Sequence, residues 1–260
     1  MATLNLPADF ETYAEARKAG FMRMKELKDN GARVIGVFCS FVPQELILAA
    51  GAVSVGLCAS SEEPIRAAEA DLPRNLCPLI KASYGFALPD TCPYFYFSDL
   101  VVGETTCDGK KKMFELLNDI KETYVLHLPQ SQKRDYAKEI WYQEVKLLKE
   151  YMEEKYGIEI TDEKLREAAH KRNEMRKTQM ELYALQGAVP PAMKATEVMS
   201  TLAQGMFNFG VDAQHASYKA KLDAAKEALA NGEKPVDEKA KRILLTGCPS
   251  TGVIQKVGMT

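Results

Sequence analysis

Apolar and polar positions alternate in a way that divides the first half of the chain into short strands and short helices. RVIGVF at 33–38 is a β-rich run, Pro43 suits the first position of a helix, QELILAA continues that helix and Gly51 stops it. AVSVGL at 52–57 then returns as a strand, so the stretch reads as a β-α-β unit whose crossover favours a parallel sheet. FYFSDLVVG at 95–103 and TYVLHLPQ at 123–130 are read as a second pair of strands bracketing the helical KKKMFELLNDIK.

From about residue 136 the period changes. Trp141, Val145, Leu148 and Met152 recur at spacings of four, three and four, placing them on one helical face with Lys and Glu between them, and core packing is their expected role. Thr161 can cap the next helix, with Asp162 and Glu163 in its first turn, and that helix is expected to run to about Gln186, before Gly187 and the Pro190-Pro191 break. Residues 194–230 read as helical with an interruption near Asn208–Gly210, NGEKPVDEKAK is a polar connection, and RILLTG at 242–247 reads as a new strand.

The pattern therefore predicts an α/β fold: a Rossmann-like parallel-sheet domain over 1–135, a helical segment over 136–240, and the start of a second α/β domain over 241–260. That start reads as truncated, so Val253, Ile254 and Val257 are expected to be poorly covered.

Composition narrows the function. At 260 residues and 46% hydrophobic content the chain can bury a sizeable core. Lys plus Arg is 34 against 36 Asp plus Glu, a net charge of -2, which leaves no basic surplus to attract nucleic acid or anionic lipid. The amino terminus lacks the basic-then-apolar order of a signal peptide and no apolar run approaches the ~18 residues of a membrane span. The expectation is a cytoplasmic protein with no nucleic-acid or membrane partner.

The six cysteines are Cys39, Cys58, Cys77, Cys92, Cys107 and Cys248. In a reducing compartment they are thiols or metal ligands rather than disulfides, and the absence of any Cys-x-x-Cys means that a metal site must be assembled from distant loops. Cys39, Cys58 and Cys107 each follow a strand, where α/β proteins place their ligands. Cys77, Cys92 and Cys248 each precede a proline, which removes an N–H and fixes φ, keeping the loop out of a regular ladder. Such loops suit iron-sulfur clusters; the competing meaning is a buried, inert thiol in each. Beside Cys107, Asp108 could turn the loop and Gly109 could supply a positive φ.

Other motifs carry less. Gly247 and Gly252 are spaced like the ends of a phosphate loop, but Val253 stands where that loop needs Lys. His127, His170 and His215 lie far apart, with no HExxH spacing. The run Lys110-Lys111-Lys112 could attract phosphate, although a solvated helix face is the commoner meaning.

NLCPLIKASYGF, CPYFYFSDLVVGETTCDGKKKMFELL and LLTGCPSTG, with AGAVSVGLC and LPRNLCP, closely resemble the 2-hydroxyacyl-CoA dehydratase and benzoyl-CoA reductase superfamily, and especially its double-cubane-cluster reductases. The resemblance covers the whole chain and is strongest over 31–130. It implies a four-iron cluster, or in that branch two cubanes joined by a sulfide, held by cysteine thiolates. Cys77 and Cys107 match the superfamily's ligand motifs, Cys92 and Cys248 follow from their Cys-Pro context in this branch, and Cys39 and Cys58 receive no secure place. The resemblance further implies an iron-sulfur oxidoreductase that receives low-potential electrons from a separate ATP-hydrolysing iron-sulfur activator and reduces small molecules. The alternatives are a subunit of an (R)-2-hydroxyacyl-CoA dehydratase, acting on an acyl-CoA, and an inactive truncated remnant. A homodimer or a heterodimer of related subunits is the expected assembly.

Overall fold

Short apolar runs rich in valine and isoleucine, bounded by glycine or a polar turn, pair as strands. In the computed structural model, which describes residues 8–244 except 60, 89–91 and 206, they form the centre of one compact unit, Met24–Ala169. Helix α1 (Ala8–Asp29) leads into β1 (Arg33–Val37), α2 (Gln44–Ala49) and β2 (Ala52–Gly56). The short helices α3 (Ile65–Ala68), α4 (Pro78–Gly85) and α5 (Pro93–Phe97) follow, then β3 (Leu100–Glu104), α6 (Asp108–Asn118), β4 (Thr123–Leu126) and α7 (Ala137–Tyr156).

The four strands lie in the order β2-β1-β3-β4, all parallel, with Val37 opposite both Gly56 and Val102. The chain builds outward from β1 in one direction to β2 and then in the other to β3. The order reverses between β1 and β3, and open α/β sheets bind their ligands outside the carboxyl ends of the strands at such a point. This is the α/β, Rossmann-like parallel sheet that the patterning predicts.

One sheet face packs under α2 and α7. Ile35, Val37, Leu100, Val102 and Leu126 join Leu46 and Ile47 of α2 and Leu148 and Met152 of α7 in a continuous core. The predicted α7 stripe is graded: Leu148 and Met152 are fully buried, whereas Trp141 only packs against the edge of the core. On β3, Gly103 lacks the Cβ that would sit 2.3 Å from the Phe114 ring, which lets α6 lie close to the strand. Phe114 in turn meets Phe38 with ring centroids 5.6 Å apart.

Two assignments from the sequence change. Residues 95–97 of FYFSDLVVG are the end of helix α5 and not strand, because Cys92 and Pro93 start a helix there and Ser98 ends it in an extended conformation. Arg242–Leu244, the described part of RILLTG, carries no strand; Ile243 and Leu244 are exposed, and the rest of that run lies outside the described residues, as do Cys248, Val253, Ile254 and Val257.

The second unit comprises Met1–Arg23 and His170–Thr260. The expected cap of α8 (Asp162–Ala184) is present, with the Lys164 N–H donating to Thr161 Oγ1 at 3.3 Å. After a 3-10 turn at Leu185–Gly187, α9 (Ala195–Gly205) and α10 (Val211–Ala230) pack together, Tyr218 lying where a side chain on Gly205 would collide with its ring. Thr178 Oγ1 and His215 Nε2 share a hydrogen bond of 2.9 Å. The segments 1–135, 136–240 and 241–260 follow changes of pattern along the sequence, whereas these units follow packing.

Candidate thiol site at the carboxyl edge of the sheet

Parallel strands send all their outgoing turns to one edge, and three of the cysteine-bearing turns leave from it. Cys39 lies two residues after β1, Cys58 two residues after β2, and Cys107 three residues after β3. Cys77 and Cys92 are the N-caps of α4 and α5, with Pro78 and Pro93 as the first helical residues, and Cys107 is the N-cap of α6. Proline fits there because its missing N–H would have no intrahelical partner and its φ is already helical. The Cys-Pro pairs are helix starts rather than free loops.

The turn carrying Cys77 is braced from behind by its own helix. Lys81, almost fully buried, donates to Glu69 Oε1 and to the Arg74 carbonyl, both at 2.7 Å, and the Tyr84 hydroxyl donates to Asp71 at 2.9 Å. Lys81 holds the Glu69 carboxyl below its ordinary range, while burial and then Asp71 push the Tyr84 phenol up to about 12. The front of the turn meets α6: a Cβ on Gly109 would stand 2.8 Å from Ile80 Cδ1 and 2.9 Å from Leu76 Cδ1. Gly109 therefore serves close approach within the first turn of α6, and not the positive φ expected of it. Asp108 begins that helix and pairs with Lys111 at 3.1 Å. Cys77 and Cys107 are thereby brought to the starts of two packed helices, with exposed thiols. Cys92 heads α5, which packs on β1, and its sulfur accepts a 3.5 Å hydrogen bond from the Phe95 N–H.

The densest chemistry surrounds the two cysteines the sequence left aside. The register of β1 and β2 continues past Val37 and Gly56, with the Leu57 N–H donating to the Val37 carbonyl at 3.0 Å, and sets Cys39 beside Cys58. The two thiols govern each other's ionisation. Lys110 of α6, 7% exposed, donates its ammonium to the Cys39 sulfur, and Thr106 Oγ1 lies 3.6 Å from that sulfur. The neighbouring Cys58 thiol, with Lys110 and Thr106, brings the Cys39 thiol down to about 5 in spite of its burial. The neighbouring Cys39 and then desolvation push Cys58 above the ordinary thiol range, so the proton of the pair resides on Cys58. Burial works against the Lys110 ammonium, but the Cys39 hydrogen bond and the nearby Cys58, Cys39 and Cys107 charges raise its pKa overall.

Cys39 adopts φ 63°, a left-handed conformation that costs a non-glycine residue about 1–2 kcal/mol. Glu104, the last residue of β3 and fully buried, holds that turn: its Oε1 accepts the Ser40 and Phe41 N–H groups at 3.1 Å each. Its Oε2 has no hydrogen-bond partner, and burial, followed by the Cys39 charge, raises its pKa. The last two lysines of the run are thus less informative than the first, since Lys111 and Lys112 pair locally with Asp108 and Glu115.

Among the described residues, no group of three or more His, Cys, Asp or Glu side chains converges as a set of metal ligands, and Cys248 lies outside them. The donors that are described are soft thiols, two of them exposed at helix starts, a chemistry suited to iron and sulfide rather than to hard cations. No helix among the described residues is long and apolar enough to cross a membrane.

Residues 39–257 match the family profile described as 2-hydroxyglutaryl-CoA dehydratase, D-component. The chain is 44% identical over 253 residues to the Escherichia coli (strain K12) protein named "Putative dehydratase subunit YjiM", covering 97% of this chain and 66% of that protein. It is 29% identical over 192 residues to the (R)-phenyllactyl-CoA dehydratase beta subunit of Clostridium sporogenes, covering 73% of this chain and 50% of that subunit. The chain thus spans between half and about two thirds of the length of these relatives. With the thiol-lined carboxyl edge enclosed in a match that covers most of its length, the chain belongs to the 2-hydroxyacyl-CoA dehydratase superfamily.

Proposed function

We propose that this chain is the iron-sulfur subunit of a dehydratase-type enzyme, holding a four-iron or double-cubane cluster through Cys77 and Cys107, with Cys92 and Cys248 as further ligands. The observation that carries the reading is the contact of Gly109 with Leu76 and Ile80, which fixes the turn of Cys77 against the start of α6 behind Cys107. When bound, a cluster of this kind supplies one-electron chemistry at a potential tuned by charge, hydrogen bonding and exposure. The chain's own part is to present thiolates, keep their turns rigid through Lys81 and Tyr84, and set helix starts behind them, where exposed N–H groups offset negative charge.

In this reading a separate ATP-hydrolysing activator with its own iron-sulfur centre delivers low-potential electrons, and small molecules are reduced. The Cys-Pro helix starts at Cys77 and Cys92 support that branch. A second reading is favoured by the relatives' names: a subunit of an (R)-2-hydroxyacyl-CoA dehydratase, paired with a related subunit and acting on an acyl-CoA.

The experiment is anaerobic reconstitution with iron and sulfide, followed by iron and acid-labile sulfide analysis of the chain and of Cys77→Ser and Cys107→Ser. Serine keeps the size and loses the soft thiolate, so each variant should retain far less iron. Undiminished iron in both variants, or none in the parent, overturns the cluster assignment. Turnover of a 2-hydroxyacyl-CoA with an activator and the full-length subunits then selects the dehydratase reading over the reductase one.

A further inference from the structure

Cys39 and Cys58 stand apart from the ligand motifs, yet they are the thiols with the most elaborate surroundings. We propose that Cys39 and Cys58 form a thiol-disulfide exchange site, in which Cys39 attacks a low-molecular-weight disulfide and Cys58 resolves the product. This inference is independent of the cluster and concerns a covalent modification of the protein itself.

The geometry comes first. Neighbouring parallel strands run about 4.8 Å apart, and a disulfide spans Cα separations of about 4.4–6.8 Å, so turns leaving adjacent strands at one edge can bring two thiols within reach of the bond. Cys39 and Cys58 each stand two residues beyond β1 and β2, whose ends pair at Val37 and Gly56, and the two thiols govern each other's ionisation. Lys110 is buried against the Cys39 sulfur with its ammonium as donor, and Thr106 adds a second donor. These are the surroundings of a reactive thiol, a cation and hydrogen-bond donors around one sulfur, and not of a buried inert one. The division of labour is built in. Cys39 carries the negative charge and is the nucleophile, while Cys58 keeps the proton and stays exposed for the second step.

The chemistry balances. The Cys39 thiolate attacks one sulfur of RS–SR; a Cys39–SR bond forms, the S–S bond breaks and RS⁻ leaves. Cys58 then attacks the Cys39 sulfur, its proton passing to the second departing RS⁻, which leaves as RSH. Two protein sulfurs lose two electrons in all, and the small disulfide gains them. Lys110 remains an ammonium throughout and positions the thiolate, while Glu104 holds the Ser40–Phe41 backbone that presents it.

The test uses reduced, metal-free chain treated anaerobically with oxidised glutathione at about pH 6, trapped with an alkylating agent, digested and read by mass spectrometry. At that pH a thiol with a pKa of about 5 exceeds an ordinary thiol roughly 300-fold in thiolate, and its lower basicity costs roughly 40-fold in nucleophilicity, leaving about a tenfold advantage. A peptide pair linking Cys39 to Cys58 should form ahead of adducts elsewhere, and the preference should vanish in urea. Cys58→Ser should accumulate a glutathione adduct on Cys39, and Lys110→Met should slow both events. Recovery of Cys39 and Cys58 as separately alkylated thiols from the untreated fold and the glutathione-treated fold alike overturns the proposal, as does a folded Cys58→Ser protein with no adduct at Cys39. The parent chain's cross-link is read directly, so a variant that fails to fold leaves the test intact.

Discussion

Ionisation of the Cys39–Cys58 pair imposes a particular shape on the pH dependence of stability. In the unfolded chain both thiols titrate near their ordinary value of about 8.5. In the folded chain Cys39 is already ionised down to about 5, while Cys58 retains its proton well into the alkaline range. Between about pH 5 and about pH 8.5 the unfolded pair therefore binds one proton more than the folded pair, and stability rises with pH. Above about 8.5 the unfolded pair has lost both protons and the folded pair keeps one, so stability falls. The contribution of Cys39 is lost as pH drops through its folded value, that of Cys58 as pH rises past its unfolded value, and the maximum lies between. One proton sets a ceiling of about 1.4 kcal/mol per pH unit on either slope, and the exposure of Cys58 screens it to a fraction of that. The measurement is the urea midpoint of the metal-free, reduced chain and of Cys39→Ser from about pH 6 to about pH 10, because the difference between them cancels groups elsewhere. The difference should peak near pH 8.5. Parallel curves across the range refute the shared-proton reading of the pair.

The core gives two further tests. Leu148→Ala removes three fully buried carbons, about 2.4 kcal/mol in transfer terms, and the cavity brings the loss to about 3–4 kcal/mol; Trp141→Ala, at the edge of the same core, should cost less despite the larger side chain, and equal losses by urea unfolding would mean that Trp141 is packed as deeply as Leu148. Gly103→Ala puts a methyl 2.3 Å from the Phe114 ring and should destabilise by about 1–3 kcal/mol, with Phe114→Leu in the same chain recovering part of the loss; no recovery would place the collision elsewhere.

The β-α-β start, the strand in LVVG and the stripe of α7 follow from local periodicity, and the sequence conveys them because neighbouring residues determine them. FYF at 95–97 misleads for a physical reason: aromatic residues favour strands, but Cys92-Pro93 commits the next turn to a helix before that preference can act. The thiol pair was hidden in a different way. Cys39 and Cys58 are 19 positions apart in sequence, and only the register of parallel strands makes them neighbours. Lys110 lay inside a run of three lysines that reads as a solvated face, and its burial follows from where α6 docks. Glu104 offered the one legible hint, a lone acid closing an apolar strand. Nothing local indicates that its carboxylate holds the backbone of another strand's turn.

The parallel sheet also decides where the protein tolerates handling. The turns carrying Cys39, Cys58 and Cys107 leave the carboxyl edge, whereas the opposite edge carries Gly31, Gly51 and the Asp119–Glu122 connection. Gly51 is exposed with nothing within 4 Å of a side chain placed there, although its positive φ disfavours a simple substitution. An inserted peptide tag at Gly51, lengthening the turn without replacing its conformation, would attach the molecule to a surface or a fluorophore from behind. Immobilised in that way, the chain turns Cys39, Cys58 and Cys107 toward solution, where a small disulfide reaches them without crossing the anchor.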